Sequence, residues 1–202
     1  ASTVGLLDLN ILQYQKENNS SFFDDLNNRK FKLLYLLGSD NLDFKKDNEF
    51  IVYQGSHGDR GAEIADIIFP SATYTEQNGL YSNLEGRIQE CKKASYPIGE
   101  ALEDWKIFNR ILKKLGFENK SLKFEELRKE IFKTVPNFIA LNELPKKNNI
   151  KKKEINDRSF FSENIFIREL DYYYTNSISR SSKTMSECRQ IRQKIEKDGT
   201  NN

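Results

Sequence analysis

The sequence predicts an α/β fold. It indicates a small, open and mostly parallel sheet with flanking helices, then a helical hairpin and an extended C-terminal tail that ends in a helix. Three short apolar runs at residues 31–38, 50–54 and 67–69 are separated by turn residues and a small helical stretch at 62–66. Such runs are typical of strands buried on both faces of a parallel sheet. Beyond them, apolar residues recur at helical spacing over residues 100–115.

Composition limits the classes of function. The 202 residues are 37% hydrophobic, which suffices for one compact core with an extended tail. Charged residues make up 31% of the chain, but the net charge is only +2, so we expect no nucleic-acid partner. No apolar run approaches the roughly 20 residues that a bilayer-spanning helix needs, so the sequence predicts no direct membrane span.

The cysteine count excludes a metal cluster held by this chain alone. Cys91 and Cys188 are the two cysteines, they lie far apart, and neither belongs to a C-x-x-C pair. Neither a disulfide framework nor a four-thiolate iron–sulfur site can be built from them. Two isolated cysteines are typical of a reducing compartment.

Helices are predicted at three further places in the first 138 residues. Residues 4–15 have apolar residues at spacings of three and four, as at the last turns of a helix. The helix over 100–115 is followed by Gly116 at the position where helices commonly end. A second helix, capped by Ser121 and stopped by Pro136, is expected to pack against it as a helical hairpin. Its apolar stripe consists of Phe124, Leu127, Ile131 and Val135.

The C-terminal third is expected to be a linker followed by a docking segment. The sequence indicates a main α/β portion with the hairpin over 1–138, a solvated Lys- and Asn-rich linker over 139–159, and a third part over 160–202. That part begins with six aromatic residues and continues as a helix capped by Asn176 or Ser177 and followed by Gly199. The surface on which this part docks could belong to the chain's own core or to a partner. The aromatic residues are Phe160, Phe161, Phe166, Tyr172, Tyr173 and Tyr174, and the apolar stripe is Ile178, Met185, Cys188, Ile191 and Ile195.

Three glycines between a predicted strand and a predicted helix suggest two uses. Gly55, Gly58 and Gly61 could let backbone N–H groups approach a phosphate at a helix N-terminus. Their spacing is G-x-x-G-x-x-G rather than G-x-G-x-x-G, and no acidic residue about 20 positions on closes a second strand for ribose recognition. Tight turns are therefore the preferred interpretation.

The next stretch contains a turn signal and an ion-pair candidate. Asn78 and Gly79 form a hairpin-type turn signal between two extended pieces. Across this turn Arg87 could pair with Glu76 or Glu85 and fix the loop. General acid–base work by the two glutamates is the alternative, but an adjacent arginine would hold a carboxylate ionised rather than poised near neutral pH.

Catalytic and metal-binding residues are not predicted. His57 is the only histidine, and a catalytic triad would need it together with Ser56 and Asp59. Residues so close within one tight turn rarely converge on one reacting atom. One histidine, two distant cysteines and scattered carboxylates do not form a closed four-ligand set. We therefore expect no catalytic, cofactor-binding or metal site in this chain.

The same stretch resembles a known family. Residues 55–89, GSHGDRGAEIADIIFPSATYTEQNGLYSNLEGRIQ, are similar to the molybdopterin-oxidoreductase-like C-terminal part of the large iron–sulfur subunit of respiratory complex I, also called the 75 kDa or G subunit. Residues 171–188, DYYYTNSISRSSKTMSEC, resemble the terminal segment of its mitochondrial members. The resemblance covers most of residues 1–138 and 167–190. Shorter matches lie at 4–9, 33–40 and 97–106.

This resemblance implies a subunit of the proton-translocating NADH:ubiquinone oxidoreductase that has no catalytic residues of its own. The chain would be a non-catalytic part of the NADH-oxidising peripheral arm, on the matrix side of the mitochondrial inner membrane. Iron–sulfur clusters and FMN are expected in partner chains, with none in this chain. The implied partners are the cysteine-rich iron–sulfur part of the same subunit, as a separate or removed polypeptide, and other peripheral-arm subunits.

Two other classes of function stay open from the sequence. A pterin-dinucleotide-binding domain of an active molybdenum oxidoreductase would use the same fold with the cofactor present. A free-standing interaction module would have no redox context. Metal and pterin analysis of the assembled particle separates the first of these from the complex I hypothesis, and the protein's behaviour when purified alone tests the second.

Overall fold

A computed structural model of the protein describes residues 2–11, 22–39, 45–117, 123–144 and 171–199. The chain divides into two compact units, residues 1–146 and 147–202, and the division falls inside the predicted linker. The predictions for Tyr14, Ser121, Phe160, Phe161 and Phe166, and for most of the linker, lie outside the described residues.

A three-stranded parallel sheet forms the centre of the first unit. The three predicted apolar runs become β1 (Leu33–Leu37), β2 (Phe50–Gly55) and β3 (Ile67–Pro70). The strand order is β1-β2-β3, with Leu34 opposite Ile51 and Val52 opposite Ile67. The predicted α/β class and the parallel sheet are confirmed.

Two short helices pack on one face of the sheet, over β1 and β2. Helix α1 (Ser2–Asp8) begins the chain, α2 (Phe22–Asn27) precedes β1, and α3 (Arg60–Glu63) connects β2 to β3. Apolar residues of α2 and around α3 pack on the inward side chains of β1 and β2, so both helices lie on the same face. The buried cluster consists of Leu26, Leu34, Leu36, Ile51 and Tyr53, with Phe22, Phe31, Ala62, Ile64 and Ala65 packed against it.

The expectation that these strands are buried on both faces is wrong for β1 and for β3. Residues of β1 alternate between exposed and buried, and Leu33 and Leu37 remain 59% and 53% exposed. In β3, Ile67 and Ile68 are 42% and 51% exposed. The second face of the sheet is contacted by helix α4 (Asp104–Lys114), whose Phe108 ring stacks on Tyr35 with centroids 5.6 Å apart. One helix does not cover three strands, so apolar side chains on this face stay in contact with solvent.

Helix α4 begins four residues later than its apolar pattern predicts. Leu102 is paired in parallel with Ser71 just beyond β3, and its N–H donates to Pro70 O at 3.2 Å. Residues 100–102 are therefore held close to the sheet edge, and the helix starts only at Asp104. It ends before Gly116, which takes the left-handed conformation (φ +84°) that the sequence suggested for this position.

An antiparallel hairpin joins β4 (Gly79–Ser82) to β5 (Ile88–Cys91), and its turn is not at the predicted place. Residues 83–86 form the turn, because Asn83 Oδ1 accepts from the N–H groups of Glu85 and Arg87 at 2.9 Å and Gly86 has φ +82°. Asn78, predicted in the turn, instead accepts a hydrogen bond from Lys93 N–H at 3.0 Å.

Helix α5 (Phe124–Thr134) ends before Pro136, as predicted, and a separate 3₁₀ helix follows at Pro136–Ile139. Its N-terminal residue Phe124 contacts Trp105 of α4, with ring centroids 6.0 Å apart. Its C-terminal half packs on the hairpin around the buried residue Ile88. The packed residues are Val135, Phe138, Leu80, Ile131, Phe132 and Leu141.

Within residues 171–199, the part of the second unit that the structure describes, two helices form where the sequence predicts one. Helix α6 (Ser177–Ser181) is capped by Asn176, as predicted, with Asn176 Oδ1 accepting from Ser179 N–H at 2.9 Å. Helix α7 (Lys183–Gly199) follows, and Ser182 between them has extended backbone. A serine at this break caps the second helix, since Ser182 Oγ accepts from Met185 N–H at 3.3 Å.

Candidate functional site

Ligands of open parallel sheets bind where the carboxyl ends of the strands meet, so this edge is the candidate site. Here it is formed by the segments that follow β1, β2 and β3, with the glycine-containing loop 55–61 at its middle. The N-terminus of α4 lies at the same edge, because Asp104 contacts the last part of β2. Two questions follow: whether the loop can hold a phosphate, and what the polar side chains around it can do.

The three glycines do not serve the tight turns that the sequence suggested. None of Gly55, Gly58 and Gly61 has positive φ. Two of them instead allow close approach, because a Cβ atom on Gly61 would lie 2.7 Å from Ser39 O, and one on Gly55 would overlap the Tyr53 hydroxyl oxygen. The loop is therefore packed tightly against its own surroundings.

A tyrosine side chain fills the concave side of this loop. Tyr53 is only 2% exposed, its ring borders Gly55 and Gly61, and its hydroxyl donates to His57 O at 2.7 Å. The N-terminus of α3 is also taken, since the Asp59 carboxylate accepts from Arg60 N–H at 2.9 Å. A phosphate would have to displace an aromatic ring and approach a carboxylate, so the loop does not fit a pterin dinucleotide.

The residues considered for a catalytic triad do not assemble into one. The His57 ring Nδ1 lies 2.9 Å from the hydroxyl of its neighbour Ser56. Asp59, the third candidate, caps α3 instead of orienting the imidazole. Nucleophile, base and orienting carboxylate therefore do not form the chain of contacts that nucleophilic catalysis needs.

A buried polar network that the sequence analysis missed lies between the sheet and α4. Gln54 is fully buried, and its Nε2 donates to Asp104 Oδ1 at 2.6 Å while its Oε1 accepts from the Tyr35 hydroxyl. Gln77 completes the network, with Nε2 donating to Asp104 Oδ2 at 3.2 Å and Oε1 accepting from Asp104 N–H at 3.3 Å. The one local signal was a glutamine inside an otherwise apolar strand.

The Asp104 carboxylate lies at the centre of this network. The carboxylate lies in the first turn of α4, where the helix dipole stabilises negative charge, and it accepts two side-chain hydrogen bonds. Burial, and then the charge of Asp104, raise the pKa of Tyr35 above its ordinary value. The Tyr35 phenol thus keeps its proton near neutral pH and donates it in the hydrogen bond to Gln54, which suits the attachment of α4 and not proton transfer.

Glu103 forms a second buried polar cluster one residue away. Its carboxylate is 5% exposed and accepts from Trp105 Nε1 at 2.9 Å and Lys106 Nζ at 3.0 Å, with Lys93 Nζ at 3.6 Å. Burial raises the pKa of Glu103, but these hydrogen bonds and the lysine charges lower it by more, and the result lies below the ordinary value. The carboxylate is therefore ionised, and Trp105, Lys106 and Lys93 surround its two oxygens.

The predicted Arg87 ion pair is absent where the structure describes these side chains. Glu76 accepts from Thr73 N–H at 3.1 Å, and Glu85 accepts from the Asn83 side chain at 3.4 Å. Arg87 contributes through its backbone, whose N–H donates to Asn83 Oδ1, while its buried Nε has no hydrogen-bond partner. Asn83, rather than an ion pair, fixes this loop.

Metal ligation has no basis in the described ranges. Within them, no group of three or more His, Cys, Asp or Glu side chains is arranged to hold a metal ion. Cys91 lies at the end of β5 with its thiol 3.7 Å from Tyr74 O, and Cys188 is exposed on α7 in the other unit. Among the described helices, none is both long and apolar enough to cross a membrane.

These observations define an open parallel α/β sheet whose central glycine loop is filled by the protein's own side chains. Residues 1–114 match the family model described as Molybdopterin oxidoreductase, and residues 136–188 match the one for the C-terminal part of the G subunit of NADH-ubiquinone oxidoreductase. The chain belongs to the molybdopterin oxidoreductase family, and its C-terminal segment carries the signature of the G subunit.

Individual relatives agree with this assignment. The chain is 36% identical to the NADH-ubiquinone oxidoreductase 75 kDa subunit of Reclinomonas americana over 196 residues, which are 95% of this chain and 28% of that protein. It is 41% identical to the G subunit of NADH-quinone oxidoreductase from Rickettsia bellii over 83% of this chain and 24% of that protein. It is also 39% identical to the mitochondrial 78 kDa subunit of NADH-ubiquinone oxidoreductase from Candida albicans, over 79% of this chain and 24% of that protein. The chain therefore spans about a quarter of the length of these relatives.

Proposed function

We propose that this chain is a non-catalytic structural part of the NADH-oxidising peripheral arm of respiratory complex I. In this role it supports the iron–sulfur-bearing part of the same subunit, whether that part is a separate polypeptide or a removed one. The observation that carries the proposal is the presence, in one polypeptide, of a molybdopterin oxidoreductase match and a match to the C-terminal part of the G subunit. The names of the relatives, a 75 kDa subunit and a G subunit, agree with it.

In this proposal the chain binds no redox cofactor. Tyr53 packs against the glycine loop, and the Asp59 carboxylate occupies the N-terminus of α3, which argues against a phosphate at this loop. The two cysteines lie in different units and cannot supply the four thiolates of an iron–sulfur cluster. FMN and the clusters then belong to partner chains of the arm.

The proposed location is the matrix side of the mitochondrial inner membrane, within complex I. Relatives described as a 75 kDa subunit and as a mitochondrial 78 kDa subunit support this location. The partners would be the cysteine-rich part of the subunit and other peripheral-arm subunits. The chain's own contribution is packing surface, and electron transfer proceeds through the neighbouring chains.

The test is purification of the native particle through an affinity tag on this chain. We expect FMN, iron and NADH-oxidising activity to co-purify with it, together with a cysteine-rich polypeptide identified by mass spectrometry, and no molybdenum or pterin. Stoichiometric molybdenum and pterin would support an active molybdenum oxidoreductase instead. Recovery of the chain alone, with no flavin or iron, would overturn the proposal.

A further inference from the structure

The outer edge of β1 is an unusual feature of the first unit. Strand β1 lies at one end of the order β1-β2-β3, so only one of its edges is paired among the strands described. Lys32 O accepts from Phe50 N–H at 2.9 Å, and Gly38 N–H donates to Gln54 O at 2.8 Å. Because backbone groups alternate along a strand, Leu33, Tyr35 and Leu37 direct their N–H and C=O groups to the outer edge.

This edge has none of the protection that exposed edges usually carry. Natural edge strands carry charges, prolines or bulges that block pairing with another strand. The sequence of β1 is Leu-Leu-Tyr-Leu-Leu, all five residues pair in regular register with β2, and Leu33 and Leu37 are more than half exposed. An unprotected apolar strand of this kind is a site for strand addition.

The helices on the first face indicate the direction of the missing strand. Helix α3 lies in the β2–β3 crossover, and α2, which leads into β1, packs on the same buried cluster and hence on the same face. Crossovers between parallel strands are right-handed in about 98% of cases, so crossover helices on the same face all connect strands in the same direction across the sheet. The connection through α3 leads from β2 to β3. A parallel strand that is connected to β1 through α2 therefore lies on the other side of β1 from β2, beside its outer edge.

We propose that the outer edge of β1 receives a parallel strand supplied by the remainder of the subunit. This inference rests on the proposed function. The chain spans only 28% and 24% of the Reclinomonas americana and Rickettsia bellii relatives, so most of such a subunit lies outside these 202 residues. Strand addition joins the two parts through backbone hydrogen bonds and buries Leu33 and Leu37.

A second copy of this chain does not fit the same edge. Two identical β1 edges that pair about a twofold axis run antiparallel, whereas the crossover geometry requires a parallel strand. The opposite edge of the sheet is already partly used, since Leu102 N–H donates to Pro70 O and Ala72 N–H donates to Leu102 O at 2.8 Å. The outer edge of β1 is thus the better site for the remainder of the subunit.

Amide hydrogen exchange tests the site directly. The full chain alone and the chain within the purified native arm are compared by mass spectrometry with residue-resolving fragmentation. We expect the amides of Leu33, Tyr35 and Leu37 to exchange about tenfold or more slowly in the arm, because pairing protects them. Equal exchange in the two samples would overturn the docking site while the proposed function stands.

A matched pair of variants separates strand addition from folding. Leu33→Pro removes an outward N–H and leaves the hydrogen bonds to β2 in place. Ile68→Pro does the same in β3, because Ser71 N–H bonds to Gly55 O of β2 while Pro70 O bonds to Leu102 on the other side, so that Ile68 also faces away from β2. We expect Leu33→Pro to lower recovery of the chain in the arm about tenfold and Ile68→Pro less than about twofold. Circular dichroism of both free variants checks that the chain still folds.

Each other outcome counts against the inference. Equal recovery of Leu33→Pro and the parent would contradict it, as would equal losses from both proline variants. If the free chain shows protection at Leu33, Tyr35 and Leu37 that increases with its concentration, the occupant is a second copy and the assignment to the subunit remainder is wrong. Absence of the chain from any flavin- and iron-containing particle would overturn the proposed function, and the docking inference with it.

Discussion

Single side chains fill the glycine loop at the carboxyl edge of the sheet. Tyr53 places an aromatic ring against Gly55 and Gly61, and its hydroxyl satisfies the carbonyl of His57. In an open parallel sheet this edge is where ligands normally bind. Here the buried Tyr53 ring packs against the central loop of that edge and stabilises it.

Gly61 provides a test of this packing. A methyl group at Gly61 would lie 2.7 Å from Ser39 O and 3.0 Å from the Tyr53 ring, so Gly61→Ala forces the backbone apart and should cost about 1–3 kcal/mol of unfolding free energy. Gly58→Ala is the control, because no atom lies within 4 Å of its added Cβ, and it should be neutral or stabilising by up to about 1 kcal/mol. Urea unfolding followed by fluorescence of Trp105, the single tryptophan, measures both. Equal stability of the two variants would show that the loop is not tightly packed.

The difference between Gly55, Gly58 and Gly61 could not be read from the sequence. Their spacing after an apolar run correctly placed them between a strand and a helix. What distinguishes them is contact with Ser39 and with the Tyr53 ring, and such contacts depend on three-dimensional packing rather than on spacing. Sequence thus located the loop but gave the wrong physical reason for its glycines.

Secondary-structure elements were likewise predictable where neighbouring residues determine them and not where distant residues do. The apolar runs that form β1, β2 and β3 were predictable because burial and β-propensity act over a few neighbouring residues. The turn of the β4–β5 hairpin was misplaced because Asn78-Gly79 is the stronger local signal, while side-chain hydrogen bonds of Asn83 form the actual turn. The polar network of Gln54 was missed because Asp104 is 50 positions away in the sequence.

Gln54 is expected to hold α4 on the sheet. Gln54→Met keeps the side-chain length but leaves the Tyr35 hydroxyl and one oxygen of Asp104 without their buried partner, which should cost about 2–3 kcal/mol. Gln89→Met in β5 is the control, because Gln89 is exposed and should change stability by less than about 0.5 kcal/mol. Hydrogen exchange of α4 should also accelerate in Gln54→Met alone. A Gln54→Met protein as stable as the parent would refute this role of the network.

In the second unit, Arg189 joins helix α7 to the segment before α6. Its guanidinium pairs with Asp171 and lies 4.6 Å from the centroid of the Tyr174 ring. Because both partners of the ion pair are partly exposed, Arg189→Met should loosen this segment only modestly, seen as about two- to fivefold faster proteolysis within residues 171–176. Lys194→Met, which changes an exposed lysine on the same helix, should leave the cleavage rate unchanged. Identical rates for both variants would mean that Arg189 does not order this segment.

At the scale of the whole molecule, stability depends on carboxylates whose pKa values lie below the ordinary range. The Glu49 carboxylate accepts hydrogen bonds from the N–H groups of Asp47 and of Glu49 itself, and these bonds lower its pKa. A hydrogen bond from Lys46 lowers the pKa of Asp66, and one from Arg128 lowers the pKa of Glu90. In the second unit, Arg189 does the same for Asp171. The nearly balanced net charge of +2 therefore includes specific charge pairs that hold each unit together.

These depressed pKa values determine how stability changes with pH. A carboxylate whose pKa is lower in the folded protein than in the unfolded chain stabilises the fold at any pH above its unfolded value, about 4. This contribution is lost as the pH falls through the folded value. We therefore expect the urea midpoint to be nearly constant from about pH 8 to pH 6 and to fall steeply below about pH 4.5. A midpoint that rises on acidification would contradict the assignment.

Glu103 should account for a measurable part of this acid sensitivity in the first unit. Glu103→Gln removes a buried charge from Trp105, Lys106 and Lys93, so it should destabilise the first unit by about 1–3 kcal/mol at pH 7. The parent loses the same interactions when Glu103 is protonated. The difference in unfolding free energy between the parent and Glu103→Gln should therefore become smaller as the pH falls below about 4. Glu100→Gln, which changes an exposed carboxylate nearby, should follow the parent at every pH. A stability gap that stays constant from pH 7 to pH 3 would mean that Glu103 acts through packing and not through its charge.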